Sequence, residues 1–242
     1  MDQLVSYARP SDAVALITLD DGKRNALSPS MLEQIGGALD RAEADGTGHG
    51  TVVLLTGRAG TFSAGFDLGV LRGGGEEAAA MVRGGFELSL RLLEFPSPVV
   101  ISCPGHALAM GSFLLLSADY RIGALGPYKI GAHEVAIGMT MPWVAIELSR
   151  QRLAPAHFHR ALINAEIYSP QDAVSSGFLD RAVPADELAD AALDIATGLA
   201  KLDMPAHRAT KLRVRESGLA AMRAGLETDN SIWKARFLSV SD

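Results

Sequence analysis

The chain has 242 residues, of which 48% are hydrophobic and 21% charged, and its formal net charge is −6 at pH 7. This length suits one globular domain or a domain with an appendage, and the acidic balance argues against nucleic-acid binding, which needs a basic surface. The apolar runs are far shorter than the roughly 20 residues of a membrane-spanning helix. No secretory signal is visible at the N-terminus, so we expect a cytoplasmic protein without membrane contact.

Strand and helix signals alternate through the first 120 residues. Apolar runs predict three strands, at residues 14–19, 51–56 and 99–102. Three helices are predicted beside them, starting at Pro29 with Ser28 as N-cap, near Ala78 and near Ala109. Recurring strand–loop–helix units indicate an α/β fold.

After about residue 143 the sequence is mainly helical. Helices are predicted at 155–163, 170–176, 186–201 and 205–237, the last one broken near Gly218. Its apolar residues form one helical stripe: Leu219, Met222, Leu226, Trp233 and Phe237. The stripe can pack within the chain or against a second subunit. We expect a neighbouring subunit, because a terminal helical layer has little of its own domain to cover it.

Several common motifs are absent or incomplete. The glycine-rich segment 46–50 precedes a strand, whereas a dinucleotide fingerprint follows one. His133 is followed by a glutamate, but Ile137 occupies the place of the second histidine of a zinc-protease helix, so no metal is expected. Segment 61–65 lacks the first glycine of a nucleophile elbow. A serine hydrolase using Ser63 or Ser112 is therefore only an alternative.

Two segments of small residues each lead into a predicted helix, at 62–68 and 105–112. Small residues let a ligand approach the main chain and its N–H groups. Two such segments in one chain can direct two N–H donors at one oxygen. That arrangement is an oxyanion hole, which stabilises a carbonyl oxygen as it becomes negative.

These segments, with the other blocks in the same order, make the chain similar to the crotonase (enoyl-CoA hydratase/isomerase) superfamily. The matching blocks are 23–28, 62–68, 98–119, 120–122, 130–142 and 169–173. The resemblance implies an α/β spiral of repeated β-β-α turns. It also implies a spiral core at 1–190 and a C-terminal helical region at 191–242 that forms homotrimers, which in such families often pair into hexamers.

The resemblance also implies which residues bind the substrate, an acyl-CoA thioester. The backbone N–H groups of Phe66 and Met110 would form the oxyanion hole. Coenzyme A would be held, largely by main-chain contacts, by Lys23, Arg24, Ala26, Leu27, Ala64, Gly65, Asp67 and Leu68. Lys23 and Arg24 also offer a basic spot for the CoA phosphates, and Asp67 is expected to order its loop. No separate cofactor is expected, because coenzyme A arrives as part of the substrate.

The two acid positions of the family differ in this chain. Hydratases of the family use two glutamates to hold and activate water, and the corresponding positions here are Phe113 and Glu134. A single base suffices for moving a proton between two carbons. The sequence therefore favours isomerisation of 3-enoyl-CoA to 2-enoyl-CoA, with Glu134 as proton shuttle and Phe113 in the acyl site. An enoyl-CoA hydratase of fatty-acid β-oxidation and a non-catalytic acyl-CoA binder stay as alternatives.

Four other polar residues near these blocks are expected to have structural roles. His106 and His133 flank the proposed site but have no evident partner in the sequence. Asp119 matches a family position that looks structural. Glu147 could supply a second acid from the side, but a solvated helix face is the expectation.

Overall fold

A computed structural model of the protein describes residues 2–46 and 50–238. The strands are β1 (Val5–Ser11), β2 (Val14–Leu19), β3 (Val52–Thr56), β4 (Gly60–Ser63), β5 (Val99–Cys103), β6 (Gly105–Leu108), β7 (Tyr120–Ala124), β8 (Ile130–Gly131) and β9 (Arg181–Val183). The helices are α1 (Pro29–Asp45), α2 (Leu68–Gly73), α3 (Gly75–Glu94), α4 (Met110–Leu116), α5 (Trp143–Arg152), α6 (Pro155–Ile163), α7 (Pro170–Ser176), α8 (Leu188–Leu199) and α9 (Met204–Leu238). A single 3-10 turn is formed by Val135–Ile137.

Two sheets are built by repeated β-β-α turns. The larger has the order β1-β2-β3-β5-β7-β9 and is parallel except for the antiparallel β1–β2 pair, and the smaller is the parallel sheet β4-β6-β8. Each strand of the small sheet follows a strand of the large sheet in the chain. The predicted α/β spiral is confirmed.

The small sheet positions the functional loops. Its strands are parallel, so the residues that follow β4, β6 and β8 all emerge at one edge. The two segments of small residues and Glu134 lie at these three strand ends. Loops that are about 25 to 45 residues apart in the chain therefore meet.

Helix α9 differs from its prediction. It runs unbroken through Gly218, which lies beside the side chain of Gln151 on α5. The five residues of its apolar stripe are buried within this chain, where α9 packs against α3 and α5. The expectation that a neighbouring subunit covers the stripe is therefore wrong, because a helix of 35 residues is long enough to reach back across the core.

Three helices begin where the local sequence patterns predict. Helices α6 and α7 have the predicted bounds, and α1 begins at Pro29 behind an N-cap bond from Met31 N–H to Ser28 Oγ.

Two predictions are not tested by these elements. Residues 47–49 of the 46–50 segment lie outside the described residues. The predicted boundary between residues 190 and 191 falls inside α8, which packs on β3, β5 and β7. The division into a core and a C-terminal region stays a prediction.

Candidate active site

The turn after β2 forms one wall of the site. Asn25 is fully buried with a positive φ of 51°, and its side-chain amide donates to the carbonyls of Leu19 (2.9 Å) and Phe62 (3.1 Å). The carboxylate of Asp21 accepts three backbone N–H groups between residues 23 and 26. Burial acts to raise the pKa of Asp21, but these N–H donors lower it overall. The turn is thereby fixed against the loop that follows β4.

A short parallel pairing joins this turn to the first small-residue segment, 62–68. Leu27 N–H donates to the carbonyl of Gly65 (2.8 Å), and Asp67 N–H donates to the carbonyl of Leu27 (3.4 Å). The pairing uses both backbone groups of Leu27 but neither of Phe66. The Phe66 N–H is consequently left out of the ladder and is available to a ligand.

The Met110 N–H lies on the adjacent segment. A Cβ at Gly65 would be 2.9 Å from Ala109 Cβ and 3.3 Å from Met110 N, so the two loops touch. Met110 opens α4, and the first N–H groups of a helix have no intrahelical acceptor. Ala109 holds φ 50° and ψ −127°, a conformation that costs of order 1–3 kcal/mol in a non-glycine residue. The two loops that carry the predicted donors, the N–H groups of Phe66 and Met110, are thus brought together. The strained conformation of Ala109 is part of this arrangement.

Glu134 follows β8 and is the carboxylate at the centre of the site. It is only 6% exposed, and its Oε2 is buried without a hydrogen-bond partner among the described residues. The nearby backbone N–H groups of Glu134 and His133 act to lower its pKa, but burial outweighs them and raises the pKa to about 7. A group of this pKa can both accept and return a proton near neutral pH.

Two spaces meet at Glu134. An open cleft of about 780 Å³ and a more enclosed pocket of about 160 Å³ share Phe66, Leu71, Glu134 and Met139 in their walls. The cleft wall contains most of the predicted coenzyme A residues: Lys23, Arg24, Ala26, Ala64, Asp67 and Leu68. The predicted oxyanion residue Phe66 lines it as well. Leu27 and Gly65 are not among the residues that line the cleft. Asp2 and Leu4 also line the cleft and were not predicted.

The enclosed pocket is mainly apolar and aromatic. Phe113 is buried there, with its ring centroid 5.9 Å from that of Phe86. Phe86 also stacks on Trp233 of α9 at 5.7 Å and 10°, and it packs edge-on against Phe66 at 6.4 Å. Sequence reasoning missed Phe86 and Trp233. The stripe on α9 was the available signal, but it was assigned to a subunit interface.

Asp229 is a second carboxylate in the pocket wall and was also missed. Its two oxygens accept the N–H groups of Trp143 (3.1 Å) and Val144 (2.9 Å) at the start of α5. Pro142, the N-cap residue of α5, makes no side-chain capping bond, so Asp229 caps the helix from α9. Burial raises the pKa of Asp229, while these two N–H donors act to lower it. Each oxygen of Asp229 therefore accepts a hydrogen bond from the backbone of α5.

The remaining candidates have structural partners. Asp67 caps α2 by accepting from the N–H groups of Gly69 (2.7 Å) and Val70 (3.3 Å), as its predicted loop-ordering role requires. The hydroxyls of Ser63 and Ser112 are buried and donate to backbone carbonyls. Neither serine presents an exposed nucleophile, which argues against a serine hydrolase.

The four polar residues expected to be structural differ in their surroundings. Asp119 binds Lys211 and Arg215 at 2.7 and 2.8 Å, and Glu147 pairs with Arg150 on α5. His106 Nδ1 accepts the N–H of Lys129 at 3.0 Å. His133 lines the cleft beside Glu134, and burial lowers its pKa.

Membrane-spanning helices and metal-binding clusters are both absent from the part of the chain that the structure describes. No helix within 2–46 and 50–238 is long and apolar enough to cross a membrane. Over the same residues, no group of three or more His, Cys, Asp and Glu side chains is arranged to hold a metal ion.

Comparison with known proteins identifies the family. The family model described as enoyl-CoA hydratase/isomerase matches residues 9–239. The chain belongs to the enoyl-CoA hydratase/isomerase family. The resemblance predicted from the sequence is confirmed, and the chain is a member of a family of enzymes.

Members of this family that resemble the chain carry different activity names. A solved enoyl-CoA hydratase/isomerase family protein from Pseudomonas syringae is 47% identical, with a TM-score of 0.90 over 94% of this chain and 97% of that one. The enoyl-CoA isomerase structure from Mycobacterium tuberculosis is 43% identical, with a TM-score of 0.88 over 94% and 97%. A putative enoyl-CoA hydratase from Thermus thermophilus is 32% identical over 88% of this chain and 83% of its own length. The names of relatives therefore leave the reaction open within the family.

Proposed function

We propose that the protein isomerises 3-enoyl-CoA to 2-enoyl-CoA, with Glu134 as the only proton shuttle. The observation that carries the proposal is the pairing of Glu134 with Phe113 in the pocket. Glu134 has a buried oxygen without a protein partner among the described residues, and the second acid position of the family's hydratases holds a phenylalanine ring that lines the same pocket.

The reaction needs one base and one oxyanion site. Glu134 takes a proton from C2, the carbon next to the thioester carbonyl, and the electron pair of that C–H bond delocalises into the carbonyl. The resulting dienolate oxygen is held by the N–H groups of Phe66 and Met110. Glu134 then returns the proton to C4, which moves the double bond from C3–C4 to C2–C3. No atom is gained or lost, and no water takes part.

Hydration needs a second polar group beside Glu134, and the position that supplies it in the family's hydratases holds Phe113 here. A water molecule must be held and polarised beside Glu134, and the Phe113 ring has no hydrogen-bonding group for it. Asp229 is the other carboxylate of the pocket wall, but both of its oxygens are bound to the N–H groups that start α5. Turning Asp229 away from α5 to hold a water beside Glu134 would leave those N–H groups unpaired, at a cost of about 1–3 kcal/mol.

The open cleft is the proposed place of coenzyme A. Lys23 and Arg24 are exposed at its wall and supply positive charge for phosphates in an otherwise acidic protein. Ala26, Ala64 and Leu68 line the same wall. A homotrimer and the pairing of trimers into hexamers remain predictions from the resemblance, and a cytoplasmic location remains a prediction from the sequence pattern.

The test is an assay of the purified protein with 3-enoyl-CoA and with 2-enoyl-CoA, with identification of products. We expect isomerisation of the first and no appreciable hydration of the second. Glu134→Gln should abolish isomerisation. Glu147→Gln, which removes a carboxyl on the surface of α5, should leave it intact.

The other outcomes separate the alternatives. Rapid hydration of 2-enoyl-CoA without isomerisation of 3-enoyl-CoA would make the protein a hydratase. Calorimetric binding of an acyl-CoA without turnover of any thioester would make it a non-catalytic binder. Full activity in Glu134→Gln would refute the assignment of the base.

A further inference from the structure

The enclosed pocket beside Glu134 has an aromatic inner wall that α9 completes. Trp233 stacks face to face on Phe86, and Phe86 packs against Phe113. These three rings line the pocket but not the open cleft, so they lie on the side away from the proposed coenzyme A. A chain that enters past Glu134 therefore meets this group of rings.

The wall is held rigidly, because α9 is anchored one and two turns before Trp233. At Gly225 a Cβ would lie 3.0 Å from Val144 N, which is tighter than most Cβ contacts, so the glycine favours the close approach of α9 to α5. At Asp229 the carboxylate caps α5 through two N–H bonds. Residues spaced by four lie on one helix face, which aims the Trp233 ring at the pocket from the same side as these anchors.

The volume of the pocket sets the size of what it can hold. The space measures about 160 Å³, and an engineered protein cavity of about 150 Å³ accommodates benzene, a molecule of six carbons. The pocket begins at Phe66, Met110 and Glu134, where the thioester carbonyl and the reacting carbons would lie. The six carbons that the pocket can hold are therefore counted from the thioester carbonyl carbon into the pocket.

We propose that the protein selects short acyl chains of about six carbons, and that Trp233, stacked on Phe86, is the residue that sets this limit. The proposal rests on the isomerase function above, since it places the thioester at the oxyanion donors. A chain of 10 or 12 carbons would have to displace the stacked rings or leave between Trp143 and Ile232, which lie at the pocket edge and are about half exposed.

The test is the chain-length dependence of kcat/KM for 3-enoyl-CoA substrates of 6, 8, 10 and 12 carbons. We expect a maximum at six and a fall of at least about tenfold by 10 carbons, because even one methylene that does not fit a hydrophobic pocket changes kcat/KM about tenfold or more. Equal kcat/KM values for 6 and 12 carbons would overturn the proposal and indicate that the chain leaves by the edge.

A variant and a matched control test the role of Trp233. Trp233→Leu should move the optimum to longer chains and lower the 6-to-12-carbon ratio of kcat/KM about tenfold or more. Leu226→Ala removes buried side chain from the same stripe of α9, outside the pocket wall, and should leave that ratio unchanged. If both variants change the ratio equally, general loosening of α9 sets the profile and the assignment of Trp233 is wrong.

Binding of saturated acyl-CoA separates this proposal from the proposed function. Calorimetry with hexanoyl-CoA and dodecanoyl-CoA needs no turnover. Tighter binding of hexanoyl-CoA that is lost in Trp233→Leu would support the chain-length limit even if no isomerisation were found. Equal affinity for both ligands in the unsubstituted protein would refute the limit even if isomerisation were confirmed.

Discussion

Glu134→Gln is expected to make the protein more stable while it removes the proposed base. The pKa of Glu134 lies at about 7 in the folded protein, against an ordinary value of 4.5, because burial penalises the charged carboxylate. The folded state therefore binds this proton more tightly than the unfolded state. The stability that Glu134 contributes is complete below about pH 4.5 and is lost as pH rises through about 7. A neutral glutamine carries no such penalty.

The size of the effect follows from the two pKa values. A difference between 4.5 and about 7, at ~1.4 kcal/mol per pKa unit, corresponds to about 3 kcal/mol. Between pH 4.5 and pH 8 the wild type should lose about 3 kcal/mol of unfolding free energy relative to Glu134→Gln. Other titrating groups are present in both proteins, so their contributions cancel in the difference.

The assay is urea-induced unfolding of both proteins at half-unit intervals from pH 4.5 to 8.5. Glu147→Gln serves as the control for loss of one carboxylate, since Glu147 lies at the surface of α5 beside Arg150. The unfolding free energies of the wild type and of Glu134→Gln, plotted against pH, should diverge as pH rises and run parallel above about pH 8. Curves that stay parallel over the whole range would show that Glu134 is not desolvated and would refute the reasoning.

Three further predictions concern the same site. The kcat/KM of isomerisation should rise with pH to an apparent pKa of about 7 and then level off, because Glu134 must be deprotonated to act as base; an activity independent of pH from 5.5 to 9 would contradict it. Gly65→Ala should lower kcat about 100-fold in steady-state assays, since its Cβ would press on Ala109 and shift the oxyanion donors, whereas Ala109→Gly should retain activity because glycine accepts a positive φ. Asp229→Ala should lower the unfolding free energy by about 1–3 kcal/mol, because the first N–H groups of α5 lose their acceptor; urea unfolding unchanged by this substitution would show that the cap is dispensable.

Local sequence signals predicted some elements well because their causes are local. Ser28 with Pro29 and Ser169 with Pro170 each start a helix through an N-cap bond to a residue three positions on. The strands of the small sheet were not identified individually, since they are only two to four residues long. Their pairing joins segments about 25 to 45 residues apart, which no short window can detect.

The sequence by itself determined the family, predicted the two loops with the N–H donors, and identified Phe113 and Glu134 as the residues at the family's two acid positions. These features depend on residue type and order within short segments. Only the tertiary structure decided that Glu134 is buried and that α9 covers the pocket of its own chain. The stacked pair of Phe86 and Trp233 lies 147 positions apart. A stripe of apolar residues tells which helix face is buried but not against which partner, because the hydrophobic effect has no direction.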